Sequence, residues 1–386
     1  MADFKDLGSA LSERKANHLY RKRRELETAQ GAAVVVDGKN YLNFCSNDYL
    51  GLANDPVVVA AFKQAADEFG VGSGASHLVC GHSRLHHQLE ERLADFVGRD
   101  RVLLFSTGYM ANLGVVNALL DKNDYIFQDK LNHASLLDAG LLSGARFQRF
   151  LHNDLNSLEA KLQKAGAGRK LIAVDAVFSM DGDIAPLPEL AALAEKYDAC
   201  LMADDAHGVG VLGQSGAGCA ELFNLNQQQL PILMGTLGKG FGSFGAFVAG
   251  SEALIETLIQ FSRSYIYTTA LPPAVAAASI ASLDIIQHDV ERRQHLQTLI
   301  TLFKNKAQSL GLPLMPSDTA IQPLLVGESE KALRISELLN DKGFLIGAIR
   351  PPTVPANSAR LRITLTAAHT VEQVEQLIAA LAEVEW

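Results

Sequence analysis

Alternation of strand-like and helical segments is the feature of this sequence that most constrains its fold. From about residue 100 to residue 250, short apolar runs alternate with segments of helical periodicity. The predicted strands are 101–105, 125–129, 145–150, 171–177, 200–204, 232–236 and 245–250, and the helices between them include 157–166 and 188–198. Such alternation is typical of α/β domains, so we expect a mostly parallel, doubly wound sheet with helices on both sides.

The pattern changes on either side of this region. Residues 1 to about 30 predict one amphipathic helix, and two β-rich runs follow it. Beyond residue 285, a long helix over 290–311 leads into strands and helices, namely 320–327, 329–343, 359–366 and 370–384. We therefore predict an N-terminal segment at 1–45, a large α/β domain at 46–285 and a smaller C-terminal α+β domain at 286–386.

Charge and cysteine content exclude several classes of function. The chain has 43 acidic and 34 basic residues, a balance that argues against nucleic-acid binding. Its one basic cluster, Arg21–Leu26, is interpreted as the exposed face of a helix. The N-terminus is charged and the most apolar stretch, 270–286, is short and contains prolines, so we expect a cytoplasmic protein without a membrane span. No C-x-x-C spacing occurs, which predicts free thiols at Cys45, Cys80, Cys200 and Cys219.

The glycine-rich stretch MGTLGKGFGSFG, Met234–Gly245, contains one lysine, Lys239. Its GFGSFG segment matches the dinucleotide fingerprint, but that motif requires a following helix, and here the strand at 245–250 follows. A phosphate-binding P-loop is also excluded, because Gly240 stands where Ser or Thr is needed. Small neighbours would let a planar cofactor approach the lysine amine. The alternative is an exposed lysine in a flexible loop.

Acidic residues at the end of a predicted strand favour the cofactor interpretation. Strand 200–204 ends in Asp204 and is followed by Asp205 and His207. Ligands of open α/β sheets bind at the carboxyl ends of strands. A lysine that forms a Schiff base, with an aspartate on the pyridine nitrogen, is typical of pyridoxal phosphate (PLP) sites. Asp204, His207 and His133 could instead ligate a metal, but that leaves Lys239 without a role.

Two further segments fit a phosphorylated ring. Residues 106–109 lead from a strand into a helical pattern, which predicts an anion site at a helix N-terminus, although the same residues make an ordinary helix cap. His133 follows the strand at 125–129, where it could stack on a ring, and Ser179 follows the strand at 171–177.

These residues occur in the order typical of fold-type-I PLP enzymes, and the chain resembles the α-oxoamine synthases among them. The resemblance covers nearly the whole chain, through the motifs FCSNDYLGLA, GSGASHLVCGHSRLHHQLE, DDAHGVGVLG, TLGKGFGSFG and RPPTVP with ARLRITLTAAH. It implies PLP as cofactor, no metal, and condensation of an amino acid with an acyl thioester with loss of carbon dioxide.

The resemblance also implies a role for individual residues. Lys239 would bind the cofactor covalently, and Asp204 would pair with the ring nitrogen. His207 and Ser179 would hold the phenolic oxygen, while His133 would stack on the ring. The phosphate would be bound by Gly108, Tyr109 and Thr236, with Thr268 and Thr269 reaching it from the other subunit of a homodimer, and the substrates would contact Arg21, Asn47, His133, Arg350 and Thr353.

Resemblance to particular members of the family indicates the pair of substrates. Residues 152–154 (HND) and 350–355 (RPPTVP) resemble the family members that take L-alanine and a pimeloyl thioester, carried by coenzyme A or by acyl carrier protein. Two alternatives stay open. One is another member of the family, such as glycine C-acetyltransferase with glycine and acetyl-CoA, and the other is a non-catalytic binding subunit with the same fold.

Overall fold

The computed structural model describes residues 7–386. Its strands are β1 (Ala33–Val36), β2 (Lys39–Asn43), β3 (Arg101–Phe105), β4 (Tyr125–Asp129), β5 (Arg146–Phe150), β6 (Lys170–Asp175), β7 (Cys200–Asp204), β8 (Ile232–Thr236), β9 (Ala246–Gly250), β10 (Ile321–Gly327), β11 (Phe344–Leu345), β12 (Gly347–Ile349) and β13 (Ala359–Thr364). Its helices are α1 (Leu7–Ala16), α2 (Pro56–Phe69), α3 (Arg84–Val97), α4 (Gly108–Leu119), α5 (Ala134–Leu142), α6 (Leu155–Leu162), α7 (Leu187–Lys196), α8 (Cys219–Leu222), α9 (Glu252–Phe261), α10 (Arg263–Ile266), α11 (Pro273–His288), α12 (Val290–Ser309), α13 (Ser329–Asp341) and α14 (Val371–Ala382). A π-helical turn lies at His77–Gly81.

A seven-stranded sheet, in the order β3-β9-β8-β7-β6-β4-β5, forms the centre of the larger part of the chain. All its strands run in one direction except β9, which is antiparallel to both β3 and β8. Every residue of β4, β8 and β9 is buried, as expected of strands covered on both faces. The predicted α/β fold with a mostly parallel sheet is confirmed.

The parallel strands bring their carboxyl ends to one edge of this sheet. Asp129 ends β4, Asp175 ends β6, Asp204 ends β7 and Thr236 ends β8. Asp175 and Asp204 are partners in the register of β6 and β7, so their backbones lie side by side. This edge is where ligands of open α/β sheets bind.

Contacts between residues divide the chain into two compact units. The larger unit consists of residues 47–179 and 183–294 and contains the central sheet. The smaller unit groups the N-terminal strands with residues 180–182 and 295–386. Its sheets are β1-β2-β11 and β10-β13-β12, and α14 packs its Val374, Leu377 and Leu381 side chains inward. The division into domains 1–45, 46–285 and 286–386 stays a prediction.

The predicted N-terminal helix is wrong beyond Ala16. Helix α1 ends there because His18 adopts a left-handed backbone, with φ of 56°, and Leu19 N donates to Arg14 O across the end of the helix. No residue of α1 is buried, so packing does not extend it. The part of the prediction on residues 1–6 lies outside the described residues. The basic cluster 21–26 is therefore not helical, and Arg24 donates to Asp37 Oδ2 at 2.9 Å.

The apolar stretch 270–286 lies mainly in α11, which packs through Ala278 and Ala281 against Val58 of α2. Within residues 7–386, no helix has both the length and the apolar character needed to cross a bilayer. The four cysteines are free thiols, as predicted.

His152 joins two loops at the carboxyl edge of the central sheet. Its Nδ1 lies 3.1 Å from Asp129 Oδ1, and its Nε2 lies 2.8 Å from Asp183 Oδ2. The ring meets the Phe178 ring edge-on, with centroids 4.4 Å apart. Although burial alone would lower it, the hydrogen bonds to both carboxylates raise the pKa of His152 to about 9. The imidazolium therefore links the loop after β5 to the loop after β6.

This geometry predicts a stability that falls with rising pH. Because the folded-state pKa lies above the usual 6.5, the contribution of His152 is complete below about pH 6.5 and is lost as pH rises through about 9. Replacing His152 with asparagine should lower the free energy of unfolding at pH 7 by about 1–2 kcal/mol, after allowance for partial exposure of the ring. It should also flatten the pH dependence in this range. Urea unfolding at several pH values measures both effects. His87→Asn, on an exposed position of α3, is the matched control, and an unchanged pH slope in His152→Asn would contradict the prediction.

Candidate active site

The turns at the carboxyl edge of the central sheet surround a cavity of about 200 Å³ in the larger unit. Its wall contains all four predicted catalytic residues and most of the predicted cofactor contacts. The lining residues are Gly108, Tyr109, His133, Ser135, Asp175, Val177, Ser179, Asp204, Ala206, His207, Met234, Thr236 and Lys239. The sequence-based prediction missed Ser135 and Asp175. The roles of the residues it did name stay predictions, but the structure places those residues around one space.

Lys239 lies in the loop between β8 and β9. Gly242 and Gly245 in this loop have φ values of 61° and 116°, which L side chains rarely adopt. A Cβ at Gly242 would also lie 2.3 Å from the backbone nitrogen of Ala53. These glycines thus allow a tight, closely packed loop that brings Lys239 Nζ to 2.8 Å from His207 Nε2.

A line of hydrogen bonds continues from Lys239 through His207. Tyr49 Oη lies 2.5 Å from His207 Nδ1 and donates to Asn47 Oδ1 at 3.4 Å. One direction of donation accounts for all three contacts: the ammonium donates to His207 Nε2, His207 Nδ1–H donates to Tyr49, and Tyr49 donates to Asn47. Tyr49 lies in the FCSNDYLGLA motif, but no local pattern marks its hydroxyl as part of the site.

Asp204 and His133 are connected by two polar side chains that the sequence did not single out. Asn112 Nδ2 donates to Asp204 Oδ2 at 2.7 Å and to Ser135 Oγ at 2.8 Å. Because Ser135 Oγ accepts from Asn112, its own proton is available to His133 Nδ1, 2.8 Å away. His133 therefore carries its proton on Nε2. Burial lowers the pKa of His133, so the ring is neutral near pH 7.

One end of the cavity lies at the N-terminus of a helix. Helix α4 begins at Gly108, after Thr107, whose hydroxyl caps the helix by accepting from Met110 N at 3.2 Å. Amides at a helix N-terminus favour a phosphate. Thr236 lies on the same cavity wall, and its hydroxyl donates to Gly245 O at 2.9 Å.

The groups on the cavity wall fit PLP. The cavity offers an anion site at the start of α4, a carboxylate at Asp204 held by two hydrogen-bond donors, a neutral imidazole at His133 and an amine at Lys239. A PLP site is typically a lysine amine for the aldehyde with an acidic partner for the ring nitrogen, and a helix N-terminus suits the phosphate.

The other predicted residues lie outside this cavity wall. Thr268 and Thr269 follow α10, where Thr269 is exposed and pairs with Ser76 in an isolated antiparallel bridge. Their predicted contact with a second subunit stays a prediction.

Three predicted substrate residues share a second cavity, of about 380 Å³, in the smaller unit: Arg21, Arg350 and Thr353. Arg21 Nη2 donates to Thr353 Oγ1 at 3.2 Å, and Arg350 Nη1 donates to His18 O. Burial and, secondarily, the positive charge of Arg21 lower the pKa of Arg350. Two guanidinium groups in one cavity are suited to an anionic ligand.

The metal alternative finds no support in the positions of its ligands. Among residues 7–386, the His, Cys, Asp and Glu side chains that approach one another closely enough for a metal lie around the π-helical turn and α3, at His77, His82, His86, His87 and Glu90. The combination of Asp204, His207 and His133 is not among these groups.

The fold and the cavity define a PLP-dependent enzyme of fold type I. The family of class I and II aminotransferases matches residues 39–381, and the chain belongs to this family. A serine palmitoyltransferase variant from S. paucimobilis with a bound PLP–myriocin aldimine superposes with a TM-score of 0.93 at 30% identity, covering 98% of this chain and 96% of that one.

Sequence identity is greater to one kind of enzyme within this fold. The 8-amino-7-oxononanoate synthase of Cellvibrio japonicus is 64% identical over 378 residues, which are 98% of this chain and 95% of that protein. The crystal structure of 8-amino-7-oxononanoate synthase from Francisella tularensis superposes with a TM-score of 0.78 at 32% identity, covering 89% of this chain and 97% of that one. The resemblance to α-oxoamine synthases is thus confirmed.

Proposed function

We propose that this chain condenses L-alanine with a pimeloyl thioester, releasing carbon dioxide and free thiol, to form 8-amino-7-oxononanoate in biotin biosynthesis. The observation that carries the proposal is a cavity with Lys239, Asp204 and His133 on its wall, in a chain 64% identical to an enzyme of that name. The presence of Lys239 argues against a non-catalytic binding subunit, since such a subunit does not need the lysine.

We assign different residues of the cavity to different parts of the cofactor. Bound PLP supplies an electron sink for the pair left when a bond to the substrate α-carbon breaks. We assign Asp204 to the ring nitrogen, where its carboxylate is held in place by Asn112 Nδ2 and by the backbone N–H of Ala206. His133 faces the ring, while His207 and Ser179 bind its phenolic oxygen.

Phosphate binding is assigned to the start of α4. The amides of Gly108 and Tyr109 are the donors, and Thr236 would join them by turning its hydroxyl proton away from Gly245 O; all three residues line the cavity. A helix N-terminus contributes both free N–H groups and a favourable dipole for an anion.

Lys239 both carries the cofactor and moves the proton. With PLP bound, Lys239 would hold it covalently, and its freed amine would remove the α-proton of L-alanine as general base. His207 Nε2, 2.8 Å from the lysine nitrogen, keeps that amine in a defined position. Arg350 and Asn47 are assigned to the amino-acid carboxylate, and Arg21 and Thr353 to the acyl substrate. Holding the carboxylate would orient the bonds of the α-carbon.

Thiol release by the purified, PLP-loaded protein tests the proposal. We expect kcat/KM with pimeloyl-CoA and L-alanine to exceed that with acetyl-CoA and glycine by at least about 10²-fold, because several methylene contacts of the longer acyl chain contribute together. Pimeloyl-acyl carrier protein is a second acyl donor, which distinguishes the two carriers. The reverse preference would assign the chain to the glycine C-acetyltransferase reaction and leave the PLP site unaltered.

We also propose that the enzyme is a cytoplasmic homodimer with sites shared between subunits. Mass measurement in solution, before and after PLP loading, tests the dimer. Thr269 is exposed in the single chain, and its assigned contact is with the phosphate in the second subunit. Mixing a Lys239→Ala chain with a Thr269→Ala chain should then restore one complete site per heterodimer, and no restoration would contradict shared sites.

A further inference from the structure

Asp175 lines the cavity and has no part in the roles described above. It is 4% exposed and ends β6 beside Asp204 on β7, its partner in the strand register. Two carboxyl groups so placed do not both ionise easily, because each negative charge opposes the other in a site shielded from water. One of the two must hold a proton more tightly.

The hydrogen bonds show which of the two is neutral. Asp204 accepts from Asn112 Nδ2 at 2.7 Å and from Ala206 N at 3.1 Å, so both of its oxygens have donors, which favours the ionised form. Asp175 accepts through Oδ2 from His133 N at 3.0 Å, while its buried Oδ1 has no hydrogen-bond partner among the described residues. Of the two carboxyl groups, Asp175 is therefore the one that holds the proton.

Burial and the neighbouring charges together also favour a neutral Asp175. Burial raises the pKa of Asp175 well above its usual range, and the carboxylates of Asp204 and Asp129 raise it further. The His133 backbone N–H and the Lys239 ammonium oppose this shift, but neither outweighs burial. Neighbouring carboxyl groups in different environments often take separate acid and base roles in active sites.

We propose that Asp175 serves the reaction as a neutral carboxylic acid that donates a hydrogen bond to an oxygen atom of the molecule that fills the cavity. The acceptor is an oxygen either of the cofactor or of the substrate. Asp175 also positions His133, whose backbone N–H donates to Asp175 Oδ2. The proposal deepens the proposed function and rests on it for turnover alone.

The pH titration of bound PLP is the primary test, in holoenzyme without substrates. The absorption of PLP bound to a lysine changes with protonation, and a nearby negative charge raises the titration midpoint. If Asp175 is neutral, Asp175→Asn should move the midpoint by less than about 0.3 pH unit, whereas loss of an ionised group should lower it by about 1 pH unit or more. A shift of the second size would overturn the proposal.

Turnover and cofactor affinity then test whether Asp175 donates a hydrogen bond. Asp175→Asn keeps a neutral donor and should retain kcat within about fivefold, whereas Asp175→Ala should lose about 10²-fold or more. Weaker PLP binding in Asp175→Ala would place the acceptor on the cofactor. PLP affinity within about threefold of wild type, with a loss in kcat or KM, would place it on the substrate. Full activity of Asp175→Ala would overturn the proposal.

Asn132→Ala is the matched control for a purely structural role. Asn132 accepts from Asp175 N at 3.1 Å and donates to Ala173 O at 2.7 Å, so its loss loosens the end of β6 without removing the carboxyl group. Equal losses in Asn132→Ala and Asp175→Ala would overturn the donor role. If Asp175→Ala does not fold, the titration of Asp175→Asn still decides. A wild-type protein that binds PLP but releases no thiol would contradict the proposed function and leave the titration result standing.

Discussion

Lys239→Ala is expected to lower thiol release from pimeloyl-CoA by at least about 10³-fold and to abolish the covalent link between protein and PLP. Both losses would have one cause, because the proposed function assigns to the same Nζ atom the attachment of the cofactor and the removal of the α-proton. In the structure this atom is on the cavity wall and 2.8 Å from His207 Nε2, so it has a defined position before any ligand binds. Borohydride reduction followed by peptide mass analysis should find PLP on Lys239 in the wild type.

Lys164→Ala, on the chain after α6, is the matched control and should retain wild-type turnover and cofactor attachment. The assignment would be contradicted by normal turnover of Lys239→Ala. It would equally be contradicted by wild-type protein that carries the reduced cofactor on a different lysine.

Asp204→Asn should lower kcat by about 10²–10³-fold with PLP still attached to Lys239. The substitution preserves the size of the side chain and removes the negative charge that we propose keeps the ring nitrogen protonated. Without that charge the ring withdraws electrons less strongly, so proton removal from L-alanine becomes slower. Solvent exchange of the α-proton of L-alanine, measured without thioester, should fall together with kcat.

Asp205→Asn, at the position after Asp204, is the control. Asp205 is fully buried like its neighbour, but its Oδ2 accepts from Cys219 N at 2.6 Å, at the start of α8, and it does not line the cavity. This substitution should reduce the free energy of unfolding and leave kcat within about threefold of wild type. Unaltered kcat in Asp204→Asn would refute the role of Asp204.

Strands of the central sheet were predictable because their burial appears directly in the sequence. Strands covered on both faces are continuous apolar runs, and the bounds of β3, β4, β7 and β8 agree with the prediction. An exposed helix has no such signal, since its residues contact little. The N-terminal helix was accordingly predicted too long. It ends just before His18, whose backbone adopts a left-handed conformation.

Lys239, Asp204 and His133 could be proposed from local sequence alone. Each follows or ends a predicted strand, and all parallel strands present their carboxyl ends to one edge of the sheet. A residue type at a strand end thus carries information about the site without a three-dimensional structure. The same reasoning indicated Ser179, and the wall of the cavity includes it.

Tertiary structure alone decided which other side chains meet these residues. Tyr49 contacts His207 across 158 positions of chain, and Asn112 contacts Asp204 across 92. Whether Asp175 lies beside Asp204 depends on the register of β6 and β7, which a shift of one residue would alter. The sequence by itself determined the fold class and the lysine, because burial and backbone conformation leave local patterns. Hydrogen bonds between distant side chains leave none, because their geometry exists only after strands and helices have packed.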